Sequence, residues 1–108
     1  MRIALVSDIH ANREALAAVL SDLRQHAIDR IAVLGDVVGY GPDPVWCASR
    51  VFRLVEEEGA VCLRGNHDAA MAGRDGSMNP VAAAALDWTA AQLDPETRAR
   101  LATLPMTA

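Results

Sequence analysis

Asp8 and His10 stand two residues apart in "VSDIHAN" at 6 to 12, Asp36 sits in "VLGDVVGYGPDP" at 33 to 44, and Asn66, His67 and Asp68 are adjacent in "LRGNHD" at 63 to 68. Each cluster follows a short apolar run. Carboxylates, imidazole and an amide oxygen make the mixed oxygen and nitrogen ligand set that suits Mn, Zn, Fe or Co rather than the all-oxygen cage of Ca or Mg. Asp8 and His10 can turn toward one ion once the backbone leaves the pleat of a strand, and Asp36 on a neighbouring strand can bridge two. Two ions about 3.5 to 4 Å apart would polarise a phosphoryl oxygen and lower the pKa of a shared water. The leaving oxygen still needs a proton, which His67 can supply, with the Asp68 carboxylate orienting the ring and keeping it protonated.

Taken singly, each residue has an ordinary explanation. An Asp after a strand is often a helix N-cap, His10 on a loop is more often solvated than ligating, and Asn66 can be a turn residue tolerating a left-handed backbone. The joint pattern argues otherwise, because three separate turns would have to carry metal-type residues at one edge of the fold. Gly35, Gly39 and Gly41 do not have the GxxxxGK[ST] spacing of a phosphate loop and read as turn glycines. Tyr40 between two of them is expected at the surface near the site, either stacking on a base or covering the metals.

The elements that must position these groups follow from periodicity. Residues 2 to 7, 30 to 35 and 60 to 65 are apolar runs too short for helices and read as strands. Between the first two, residues 13 to 27 have helical spacing, with Leu16, Val19, Leu20, Leu23 and Ala27 on one face and Asn12 as N-cap. Asp43 and Pro44 open a second helix with Val45, Ala48, Phe52 and Val55 inward, closed by Glu56, Glu57, Glu58 and Gly59. Residues 73 to 80 read as a loop, followed by a helix from Asn79 and Pro80 to about Leu93 and another from Asp94 and Pro95 to near Leu104. The fold class is therefore α/β: a βαβαβ parallel sheet with flanking helices, right-handed crossovers and strands buried on both faces. In such a sheet ligands bind beyond the carboxyl ends of the strands, where all three clusters fall.

At 108 residues, 52% hydrophobic and 22% charged, the chain fits one globular domain. The net charge of −4 and scattered arginines give no nucleic-acid footprint. No apolar stretch approaches the roughly 20 residues that span a bilayer, and the first residues carry no signal-peptide core, so a cytoplasmic location is expected. Cys47 and Cys62 lack CxxC spacing and read as buried free thiols.

"DIHAN", "GDVVGYGPDP" and "GNHD" resemble the first three signature blocks of the calcineurin-like metallophosphoesterases, DxH, GD and GNH[DE]. The longer middle block is similar to a small bacterial branch of diadenosine tetraphosphatase-like enzymes and broad phosphodiesterases. The resemblance covers about the first 70 residues. It implies Asp8 and His10 on a first metal, Asp36 bridging, Asn66 on a second, and His67 as the leaving-group histidine supported by Asp68. It also implies two divalent transition metals, Mn foremost with Fe, Zn, Ni or Co as alternatives, and a small phosphoester or nucleotide substrate. Members of the family continue with further ligating histidines, whereas this sequence has none after His67. Members also form a two-sheet sandwich, of which this chain supplies about half. Residues 1 to 108 are accordingly expected to be the amino-terminal portion of such a domain, truncated, with one sheet face left uncovered and either self-association or a carboxy-terminal segment covering it. The alternative expectation is an inactive fragment that binds a metal or nucleotide and needs another segment or chain for turnover.

Overall fold

The computed structural model describes residues 1–74 and 76–108. Strands β1 (Ile3–Val6), β2 (Arg30–Val33) and β3 (Val61–Cys62) alternate with helices α1 (Arg13–Leu23) and α2 (Pro44–Glu58). Beyond β3 come a one-turn helix α3 (Asn66–Ala69), a 3₁₀ turn at Ala70–Ala72, and helices α4 (Pro80–Gln92) and α5 (Pro95–Ala102). The sheet is parallel in the order β1-β2-β3, with Ile3 opposite Arg30 and Val33 opposite both Val6 and Cys62. The expected α/β class and βαβαβ order hold. The strands are shorter than the apolar runs because their last residues leave the pleat to form the site loops. Of the loop expected at 73 to 80, Asp75 lies outside the described residues.

The sheet grows in one direction, so right-handed crossovers place both connecting helices on the same face. On that face α2 supplies the centre of the core, where Cys47, Ala48, Val51 and Leu54 meet Val33, Leu86 and Leu101. The opposite face is open: Ile3 is 53% exposed, Leu5 68% and Leu34 43%. The expectation of strands buried on both faces is therefore wrong for this chain. Its strands are apolar throughout, but only alternate residues such as Ala4 and Val33 are covered.

Two helix faces also differ from expectation. In α1 only Leu16 and Leu20 are fully buried, and the helix stops at Leu23, short of Ala27. There Arg24 turns across to Glu58 in two hydrogen bonds of 2.7 and 2.8 Å, tying the ends of α1 and α2 together. In α2 the buried stripe runs through Pro44, Cys47, Ala48, Val51 and Leu54, leaving Val45 exposed. Phe52 remains inward, its ring covered by the Arg100 guanidinium at 3.9 Å from the centroid. Cys47 and Cys62 are free and buried as expected, and burial pushes both thiols up to about 12. No helix among the described residues is long and apolar enough to cross a membrane.

Candidate metal centre

The loop after β1 and the loop after β2 continue to pair where the strands end. The N–H groups of Asp8, His10 and Ala11 donate to the carbonyls of Gly35, Asp36 and Val37 at 3.1, 2.9 and 2.9 Å. Along this seam the backbone is left-handed at Asp8 (φ 55°), His10 (47°), Ala11 (54°) and Asp36 (54°). Asp and His enter that region more readily than most residues, and such conformations persist where the surroundings over-determine them. The turned backbone aims three side chains at one point: ligand atoms of Asp8, His10 and Asp36 all lie within 4.8 Å of one another.

Each of the three is held by a neighbour. His10 Nδ1 is 3.0 Å from the Val38 carbonyl, so that nitrogen carries a proton and donates, and Nε2 is the ring nitrogen that faces the cluster. Nε2 lies 3.4 Å from Asp8 Oδ1. The Ser7 hydroxyl donates to Asp8 Oδ2 at 2.6 Å, and this bond, with His10 close by, holds the Asp8 carboxyl below its ordinary value. Asp36 Oδ1 accepts the His67 backbone N–H at 3.0 Å. A Cβ on Gly65 would overlap Asp36 Oδ1, so glycine there clears room for the carboxylate. Two carboxylates and a tautomer-fixed imidazole fit a divalent transition metal.

Asp68 does not take the expected place beside the His67 ring. It is fully buried, and its oxygens accept backbone N–H groups from Asp36 (2.8 Å), Val37 (2.9 Å), Val38 (3.4 Å) and Gly65 (2.9 Å). The expected contact in which Asp68 orients His67 is absent, because this carboxylate is committed to the backbone of two loops. Burial pushes the Asp68 carboxyl up, and the four N–H groups pull against that shift. The signal was available in the sequence: an acid three residues after Gly65 at a helix start is the acidic half of a capping box.

His67 is buried, and its Nδ1 has no hydrogen-bond partner among the described residues. Burial pushes its imidazole below the ordinary value, with the Asp36 carboxylate working the other way. Its ring lies 4.8 Å from that of His10 and 5.0 Å from that of Tyr40, and Tyr40 lies 5.1 Å from His10. The structure thus gathers Asp8, His10, Asp36, Tyr40 and His67 on one edge. Asn66 opens α3 and is exposed, on the wall of an adjoining cavity with Tyr40 and His67. Sequence reasoning missed Ser7, the Val38 carbonyl and the clearances at Gly39 and Gly65, which only the packing of loops far apart in the chain creates.

The sequence profile of the calcineurin-like phosphoesterases matches residues 1–100. The chain belongs to that family. This calcineurin-like phosphoesterase chain is 38% identical over 106 residues to the protein MJ0912 of Methanocaldococcus jannaschii, covering 96% of this chain and 42% of that one. It is 33% identical over 76 residues to the asymmetrical bis(5'-nucleosyl)-tetraphosphatase PrpE of Oceanobacillus iheyensis, covering 62% of this chain and 30% of that one. A metallophosphoesterase crystal structure from Sphaerobacter thermophilus is similar with a TM-score of 0.75 at 47% identity, covering 97% of this chain and 41% of that one. The chain spans less than half the length of each of these relatives.

Proposed function

We propose that this chain carries the amino-terminal ligands of a metal-dependent phosphoester hydrolase. The observation that carries the reading is the convergence of Asp8, His10 and Asp36 on one point from two loops of left-handed backbone. Asp8, His10 and Asp36 hold a first divalent ion, and Asp36 and Asn66 contribute to a second. Mn is the first candidate, with Fe, Zn, Ni or Co as alternatives. Bound there, such ions supply Lewis acidity toward a phosphoryl oxygen and make water a better nucleophile near neutral pH. His67 acts from the same edge, with Nδ1 enclosed and Nε2 as the nitrogen that exchanges a proton with the departing oxygen. Asp68 fixes the Asp36 loop and takes no part in proton transfer. The kinship with a bis(5'-nucleosyl)-tetraphosphatase supports a nucleotide phosphoester as substrate.

Asp36 and Asn66 are too few donors for a tight second ion, so in this reading further ligands come from another segment or chain. That shortage favours a second reading, in which residues 1 to 108 bind one ion without turnover. Hydrolysis of bis(p-nitrophenyl) phosphate with Mn²⁺, abolished by Asp36→Asn and by His67→Ala, supports the hydrolase. Mn²⁺ binding lost in Asp36→Asn but without turnover supports the one-ion module. Neither binding nor turnover would sink both.

A further inference from the structure

A cavity of about 440 Å³ opens beside the cluster, walled by Tyr40, Asn66, His67, Arg74, Met78 and Asn79 among others. Its volume lies within the roughly 300 to 1,000 Å³ of small-molecule sites. It is joined to the cluster through rings, since Tyr40 and His67 both line it and both contact His10. We propose that this cavity receives the nucleoside part of a nucleotide phosphoester whose phosphate lies at the Asp8, His10 and Asp36 cluster. The inference rests on the reading of that cluster as a phosphoester site.

The lining decides the ligand chemistry. The cation in the wall, Arg74, is already engaged by Asp87 through Nε and Nη2 at 2.9 and 3.1 Å, so its charge is offset. The start of α4 is capped as well, with Asn79 Oδ1 accepting the Ala82 N–H at 2.9 Å. Neither feature therefore offers a strong second phosphate site. Within a lining that is otherwise largely polar, the cavity offers one flat ring and one soft thioether. Tyr40 is 52% exposed and held at φ 65°, a costly conformation for a bulky residue that keeps its ring at the rim instead of in the core. Met78 is half-buried and packs on the hydrophobic core, and Ala69, Ala70 and Ala82 line the same space. An aromatic ring together with a polarizable thioether suits a planar heteroaromatic base, which stacks with little preference among bases.

The test compares adenosine 5'-monophosphate with ribose 5-phosphate, which shares the sugar phosphate but lacks the base, by calorimetry on the 108-residue chain with Mn²⁺. Chain labelled with ¹³C at the methionine methyls adds a positional readout. The nucleotide is expected to bind roughly ten- to a hundredfold more tightly, the ratio that stacking of one base supplies. Tyr40→Ala removes that ratio and Tyr40→Phe retains it. On addition of the nucleotide the Met78 methyl resonance moves and that of Met106 does not, a readout that stands even where Tyr40→Ala folds poorly. Equal affinities, a preference that survives in folded Tyr40→Ala, or a Met78 methyl that does not respond overturns the proposal. The two readings fail separately. Mn²⁺ uptake that is lost in Asp36→Asn, alongside equal affinities, leaves the metal reading and removes the cavity; a base preference without Mn²⁺ uptake removes the metal reading and, with it, the place given to the phosphate at the cluster.

Discussion

Gly39 and His67 divide one space between them: a Cβ on Gly39 would fall inside the van der Waals shell of His67 Nδ1. The glycine also has φ 96°, outside the range L side chains readily adopt. Gly39→Ala therefore meets two obstacles, backbone strain and a displaced imidazole. It is expected to cost about 1 to 3 kcal/mol, read as a lowered midpoint in urea. In a His67→Ala background the second obstacle is gone, and the same substitution should cost measurably less. Equal costs in both backgrounds would show that Gly39 serves only its own turn.

Asp68 is the anchor of the β2 and β3 loops, and its four acceptor contacts are to backbone N–H groups. Asp68→Asn keeps the shape but turns an NH₂ toward some of those donors, stranding buried N–H groups at about 1 to 3 kcal/mol. Because three of the contacts come from residues 36 to 38, Mn²⁺ affinity should fall as well. A variant as stable as the parent, with unchanged Mn²⁺ affinity by calorimetry, would remove Asp68 from this role.

How far these features could be read in advance depends on what carries them. The βαβαβ order and the shared edge were legible because apolar runs, helical spacing and Asp-Pro starts are local signals. Asp8, His10 and Asp36 could be singled out because metal-type residues after neighbouring strands at one edge are a joint signal that none of them carries alone. The role of Asp68 was misassigned because adjacency to His67 in sequence suggested adjacency of the side chains. A helical turn instead sends the two side chains in different directions, His67 toward Gly39 and Asp68 toward the 36 to 38 loop. The inner face of α2 was likewise misplaced toward Val45, which is exposed beside a buried stripe through Pro44, Cys47, Ala48, Val51 and Leu54.

The His67 imidazole gives the metal-free protein a pH signature. Burial lowers its pKa from the ordinary 6.5, so below about that pH the unfolded chain takes up this proton before the native chain does. This contribution to stability is intact above the unfolded value and is lost as pH falls through the window down to the folded value. An NMR titration of the His67 ring in EDTA should give a midpoint below 6.5, and His67→Gln should flatten that part of the stability profile. A midpoint at or above 6.5 contradicts the buried, neutral ring.

The open sheet face makes a contrast that denaturation can read. Leu5 is 68% exposed and Leu54 is 1% exposed. Leu5→Lys should change stability by no more than about 0.5 kcal/mol, whereas Leu54→Ala should cost about 2 to 5 kcal/mol. Comparable losses would mean that the face carrying Leu5 is covered in solution.

The one-directional strand order also sets a sequence of assembly. Each new strand adds to the outer edge of the sheet already present, so no strand has to insert between two others, and the sheet can be laid down in the order in which the chain is synthesised. β3 arrives last and brings Asp68 to Asp36 across a separation of 32 residues. Asp8, His10 and Asp36 can therefore approach one another once β2 docks, yet they are clamped only when β3 is in place. The segment after β3 clamps the Asp8, His10 and Asp36 cluster, and a nascent chain that has not reached residue 68 has these side chains without the clamp.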